Sequence, residues 1–92
     1  MIASYADRDS GKLANGECVK RFEAIERMAR KKLAMLEAAE ELEALNVFPG
    51  NRLEKLSGYR KGQYSIRIND QYRICFQWKE GACYEVEITD YH

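Results

Sequence analysis

The chain has 92 residues, enough for one small domain spanning residues 1–92 and too few for a second. It is 46% apolar and 11% aromatic, which supports a compact core, and fifteen Lys and Arg balance fifteen Asp and Glu, so net charge does not point to a nucleic-acid partner. Three cysteines are an odd number for a disulfide framework, and no apolar run reaches the ~20 residues that span a membrane.

The zero net charge conceals polarity. Residues 51–79 carry Arg52, Lys55, Arg60, Lys61, Arg67, Arg73 and Lys79 against Glu54 and Asp70, while residues 80–92 carry acids and no Lys or Arg. Residues 1–5 meet Asp7, Arg8 and Asp9 at once, which is not the pattern of a secretory leader. The expectation is a reduced, cytoplasmic protein without a membrane segment. His92 is the sole histidine and there is no Cys-x-x-Cys pair, so neither a metal site nor a cofactor is expected.

Residues 1–5 are a short apolar opening and a candidate strand. Residues 7–15 are polar and suit a short helical turn, with Asp9 or Ser10 as N-cap and Gly16 as its stop. Residues 17–45 lack Pro and Gly, and their apolar positions recur at spacings of three and four from Val19 to Leu45. That length exceeds a usual globular helix and predicts two helices with a break within 29–41. Lys20, Arg21, Arg27, Arg30, Lys31 and Lys32 fall on the exposed side. They form either a solvated face or a docking surface for a polyanion or an acidic segment.

Val47-Phe48-Pro49-Gly50-Asn51 reads as a turn, after which the period changes from 3.6 to 2. Residues 52–56 suit a strand with Leu53 inward, and residues 57–62 a loop holding Tyr59, Arg60 and Lys61 between two glycines. Residues 63–69, 72–78 and 83–92 alternate apolar and polar side chains. Three such strands in series predict an antiparallel meander. The expected fold class is α+β, with N-terminal helices on one face of a small twisted, mainly antiparallel sheet.

Register must keep apolar faces together. Pairing Tyr64, Ile66 and Ile68 with Phe76, Ile74 and Tyr72 leaves Asn69-Asp70-Gln71 as the loop and sets Arg67 opposite Arg73. Like charges facing across a strand pair repel. Either nearby acids and solvent neutralise the pair, or an anion sits between the two forks, which suit bidentate phosphate or carboxylate binding. Arg60 and Lys61 add charge at the rim. Matching Trp78, Phe76 and Ile74 with Tyr84, Val86 and Ile88 predicts a three-residue loop, Glu80-Gly81-Ala82. It puts Arg73 opposite Thr89 and Cys83 on the polar face. The chain ends Asp90-Tyr91-His92, three side chains able to carry protons beside the arginine pair. Strict alternation sets Asp90 and His92 on the apolar face and Tyr91 on the arginine face, so a twist or bulge must bring them together.

Leu53-Glu54-x-Leu56-x-Gly58, the run Arg60-Lys61-Gly62-Gln63-Tyr64-Ser65-Ile66-Arg67-Ile68-Asn69-Asp70-Gln71-Tyr72-Arg73-Ile74-Cys75-Phe76, and the ending Asp90-Tyr91-His92 together resemble the HigB toxins, including GraT-like members of the RelE/ParE superfamily. The resemblance covers essentially the whole chain and implies a RelE-like fold. It implies the toxin of a bacterial type II toxin–antitoxin pair, an mRNA endonuclease cutting codons in the ribosomal A site. It also implies a HigA-type helix-turn-helix antitoxin, with operator DNA bound only through the toxin–antitoxin complex. Arg73 and the Asp90-Tyr91-His92 ending are implied in cleavage. This chain has Glu54 where one type of HigB carries histidine, which makes Glu54 a second candidate base. Ser57-Gly58-Tyr59 stands where the family often has Lys-Gly-Asp, which shifts the cation duty toward Lys55 or Lys61.

RNA cleavage by its own 2′-hydroxyl needs alignment, a base, charge stabilisation and an acid, and no metal. Arg73 with Arg67 suits the phosphate charge, His92 the proton transfer near neutral pH, Tyr91 a base stack or phosphate bond, and Asp90 the tuning of His92. Arg60, Lys61 and Lys55 are the further RNA contacts, and the basic helix side is the candidate contact with the 70S ribosome. The rival expectations are a ParE-like, gyrase-inhibiting toxin without catalysis and a non-enzymatic RNA-binding module.

Overall fold

The computed structural model describes residues 1–90, and the expectations for Tyr91 and His92 lie outside the described residues. Helices α1 (Arg8–Ala14) and α2 (Glu26–Ala38) precede strands β1 (Glu54–Lys55), β2 (Gln63–Arg67), β3 (Tyr72–Lys79) and β4 (Ala82–Asp90). The strands form one antiparallel sheet in the order β1-β2-β3-β4. This is the α+β arrangement that the change of hydrophobic period predicts.

Asp7 caps α1, its carboxylate accepting from the Ser10 N–H at 3.2 Å. The cap therefore precedes the predicted Asp9 or Ser10. Ser10 is buried instead, and its hydroxyl accepts from the Ile88 N–H at 2.9 Å, tying α1 to the outer edge of β4. Gly16 ends this element at φ 90°.

The long periodic stretch does break within 29–41. A 3₁₀ turn at Lys20–Ile25 runs into α2, which stops where Ala39 turns extended at ψ 127°. A second 3₁₀ turn follows at Leu42–Val47. Ala29, Leu33 and Leu36 of α2 are buried at helical spacing. They pack with Leu13, Phe22, Ile25 and Leu45 on the sheet face presented by Ile66, Ile74, Phe76, Val86 and Ile88.

The first hairpin has the predicted register: Tyr64 pairs with Phe76, Ile66 with Ile74, and Arg67 with Arg73. The second differs. Its loop is Glu80-Gly81, two residues rather than three, and both adopt positive φ, 50° and 80°. That is the twist a two-residue hairpin favours. Lys79 consequently pairs with Ala82 and Trp78 with Cys83, while Ile74 still pairs with Ile88. One extra residue in β4 absorbs the slip, and Glu85 bulges at φ 53°. The correction falls on Cys83, which lies in the core rather than on the polar face. Burial pushes its thiol up to about 11.

Residues 1–5 run parallel to β4 and bridge it at two points, Ile2 to Cys83 and Tyr5 to Val86. The Glu85 bulge lies between these bridges, and its N–H donates to the Ser4 hydroxyl at 2.9 Å. The added strand is therefore interrupted. Leu53 packs partly against the core as expected, although only Glu54 and Lys55 pair as β1. Among the described residues, no helix is long and apolar enough to cross a membrane.

Candidate functional site

The sheet face opposite the helices carries Glu54, Ser65, Arg67, Arg73, Cys75, Glu87 and Thr89, because these residues pair across the strands at matching positions. Arg73 lies at its centre with a side chain only 13% exposed. Its Nε donates to Ser65 Oγ at 2.8 Å and one Nη donates to the Arg52 carbonyl at 2.8 Å. Glu54 approaches the same Nη at 3.7 Å. Arg52 presents its carbonyl from a left-handed backbone, φ 44°.

Arg67 and Arg73 are direct partners across β2 and β3, as register predicts, yet no anion is needed to reconcile them. Arg67 donates to Asp70 in the hairpin loop. Arg60 reaches over the face and donates to Gln63 and to Glu87, each at 3.1 Å. Each of the three guanidiniums thus has a carboxylate of its own. Asp70 is fully exposed and Glu54 is 58% exposed, so two of these partners are water-facing and only weakly held. An incoming phosphate can compete for Arg67 and Arg73 without disturbing the Ser65 and Arg52 bonds that fix the Arg73 fork. Beneath the guanidiniums, Cys75 is fully buried, and burial holds its thiol above the ordinary value while Arg60 pulls against that shift.

The structure therefore gathers Arg73, Arg67, Arg60 and Glu54. Lys55 pairs with Tyr64 and so belongs to the opposite sheet face, away from Arg73, while Lys61 is exposed just after the Gly58–Arg60 turn. Asp90 pairs with Tyr72, on the face turned away from the arginines, and its carboxylate accepts from Gln71 Nε2 at 3.0 Å. β4 does bulge, but at Glu85, on the far side of Ile88 from Asp90, and this leaves Asp90 on the face away from the arginines.

Sequence reasoning did not anticipate Ser65, Arg52 or Gln63 as anchors. Ser65 was accessible in principle, since it sits diagonal to Arg73 once the hairpin register is set. The Arg52 carbonyl was not, because its orientation depends on a backbone twist that no side-chain pattern encodes.

The basic helix side divides. Arg21 binds Asp7 at 3.0 Å and Asp9 at 2.8 Å and lies over the Phe22 ring. Its Asp9 bond raises its pKa above the ordinary value. Arg30 donates to the Leu13 and Glu17 carbonyls at 3.1 and 3.0 Å and pairs with Glu26, joining α2 to the end of α1. Lys32 is a clear correction to the exposed-face expectation: it is 7% exposed and donates to the buried Asn51 side chain. Burial, then Lys31 and Arg67, lowers its pKa. Lys20, Arg27 and Lys31 remain exposed on this side. Among the described residues, no group of three His, Cys, Asp or Glu side chains is placed to hold a metal ion.

The family described as RelE-like toxin of type II toxin–antitoxin system HigB matches residues 17–92. A curated relative, Toxin HigB-1 of Vibrio cholerae serotype O1, is 48% identical over 59 residues, which are 64% of this chain and 62% of that protein. The match thus spans under two thirds of the relative's length. Two solved structures of the YoeB–YefM complex of Staphylococcus aureus share the fold, one of them described as a heterotetrameric toxin–antitoxin complex. They align over 100% of this chain and 98% of theirs, with a TM-score of 0.62 and identities of 18% and 20%.

Proposed function

The chain belongs to the HigB family of RelE-like toxins from type II toxin–antitoxin systems, and on that premise we propose that it is a ribosome-dependent endoribonuclease that cuts mRNA codons in the A site. The observation that supports this reading is the state of Arg73. A mostly buried guanidinium is fixed by Ser65 Oγ and the Arg52 carbonyl, with a carboxylate 3.7 Å away. A cation held in place before the reaction stabilises charge in the transition state without having to reorganise.

In the proposed chemistry Glu54 takes the proton of a ribose 2′-hydroxyl. The 2′-oxygen then attacks the adjacent phosphorus, and Arg73 with Arg67 carries the added charge on the phosphate oxygens. His92, the chain's one histidine, protonates the departing 5′-oxygen. The products are a 2′,3′-cyclic phosphate and a 5′-hydroxyl, so no metal and no covalent enzyme intermediate is required. Tyr91 contacts the base or the phosphate, and Arg60 and Lys61 hold the flanking backbone. The protein acts in the cytoplasm, where its mRNA and 70S ribosome substrate is found. A HigA-type helix-turn-helix antitoxin neutralises it, and the pair rather than the toxin contacts operator DNA.

Adding the purified protein to a translating bacterial extract and mapping mRNA ends tests the reading. Cuts within A-site codons that disappear when ribosomes are removed from the extract are expected. Intact mRNA accompanied by gyrase-dependent DNA breaks would replace the nuclease with a ParE-like poison. Intact mRNA and DNA would leave a passive binder.

A further inference from the structure

Tyr59 is a fully exposed aromatic on the connection between β1 and β2. Its backbone is nonetheless fixed. The Gly58–Arg60 turn opens on Gly58 at φ 64°, and the Arg60 and Lys61 N–H groups donate to the Ser57 and Gly58 carbonyls at 3.2 and 3.1 Å. The next residue, Arg60, is anchored to Gln63 and Glu87 on the sheet. A ring that buries nothing, on a turn pinned at both ends, is presented rather than left loose.

Its position relative to the arginines gives it a use. Arg73 is anchored at Ser65 and Arg60 at Gln63, two residues apart on the same side of β2, a step of about 7 Å. An extended single strand bridges that distance with one nucleotide. The face therefore offers a row of cations, Arg67, Arg73 and Arg60, and the turn that carries Tyr59 leads through Lys61 into the Gln63 end of that row. Cationic backbone contacts beside an exposed aromatic plane are what single-stranded nucleic acid binds, because every base has a face to stack.

We propose that Tyr59 is a stacking platform for the nucleobase flanking the phosphate held at Arg73, fixing the reading position of the mRNA strand. The inference rests on the endonuclease reading and adds a positioning residue to it. Stacking needs the ring but not the hydroxyl. Tyr59→Phe and Tyr59→Trp should therefore behave as the parent, and Tyr59→Ala should fail.

The probe is a 70S ribosome programmed with an mRNA whose A-site codon is blocked by 2′-deoxy substitution and flanked by 2-aminopurine. Parent, Tyr59→Phe and Tyr59→Trp should quench the 2-aminopurine on binding. Tyr59→Ala should lose the quench, bind about tenfold more weakly, and cut unblocked mRNA correspondingly more slowly, with an unchanged melting temperature. If Tyr59→Ala quenches, binds and cuts like the parent, the platform is refuted and the nuclease stands. If the parent itself neither binds nor cuts on programmed ribosomes, the nuclease reading falls and the platform with it.

Discussion

Arg73 illustrates how one residue is made ready by others. Its fork is held by a serine hydroxyl that is itself buried and by a carbonyl from a left-handed residue, while Glu54 remains half in water. Charge and geometry are therefore separable by substitution. Arg73→Ala removes both and should lower cleavage on the order of 10²-fold or more. Arg73→Lys keeps the charge but cannot span Ser65 and the Arg52 carbonyl with a planar fork, so its rate should fall between those of parent and alanine. Single-turnover cleavage, read beside the melting temperature of each variant, checks this. A lysine variant as fast as the parent would reduce Arg73 to a point charge, and an alanine variant as fast would move the anion site elsewhere. Arg67 is a weaker case. Its partner Asp70 is fully exposed and the pair is screened by water, so Arg67→Ala should change the melting temperature little.

At the scale of elements, the second hairpin carries the lesson. Its turn places Glu80 and Gly81 at positive φ, a geometry that glycine adopts freely and asparagine tolerates far better than glutamate. Glu80→Asn should stabilise the protein by about 0.5–1 kcal/mol, a rise of roughly 2–8 °C in a domain of this size. Thermal unfolding checks it, and no rise or a fall would mean that Glu80 makes a compensating contact. The same turn explains what could be read beforehand. Alternation of Tyr64, Ile66 and Ile68 against Tyr72, Ile74 and Phe76 sufficed for the first hairpin, because nothing interrupts the period and a one-residue slip would invert the core. Alternation failed at Cys83 because two irregularities, a shorter turn and a bulge at Glu85, cancel by Ile88. A pattern that matches at one end of a strand cannot detect a pair of compensating shifts near the other. The arginine pair was legible for the same reason as the first hairpin. Its neutralisation by Asp70 and Glu54 was not, since loop side chains have no period to follow.

Across the whole molecule, charge separates into a committed part and an available part. Of the six cations on the helix side, Arg21, Arg30 and Lys32 are engaged in holding α1, α2 and the Asn51 turn together. Reversing Arg30 or Lys32 would therefore unfold the protein before it tested any surface, for it would set a carboxylate against the Leu13 and Glu17 carbonyls or bury one beside Asn51. Lys20, Arg27 and Lys31 are exposed and can meet a polyanion directly. Phosphate contacts of this kind position a protein without reading sequence, and each one lost lowers the dependence of binding on salt. Changing Lys20, Arg27 and Lys31 together to Glu should leave the melting temperature near that of the parent. It should weaken ribosome co-sedimentation at low salt and flatten its decline as salt rises, while the codon preference of the remaining cleavage stays the same, because the proposed mechanism makes that choice at the arginine face. If the reversed protein binds ribosomes as the parent does at both low and high salt, these three residues form a solvated surface, and the arginine face alone carries the interaction.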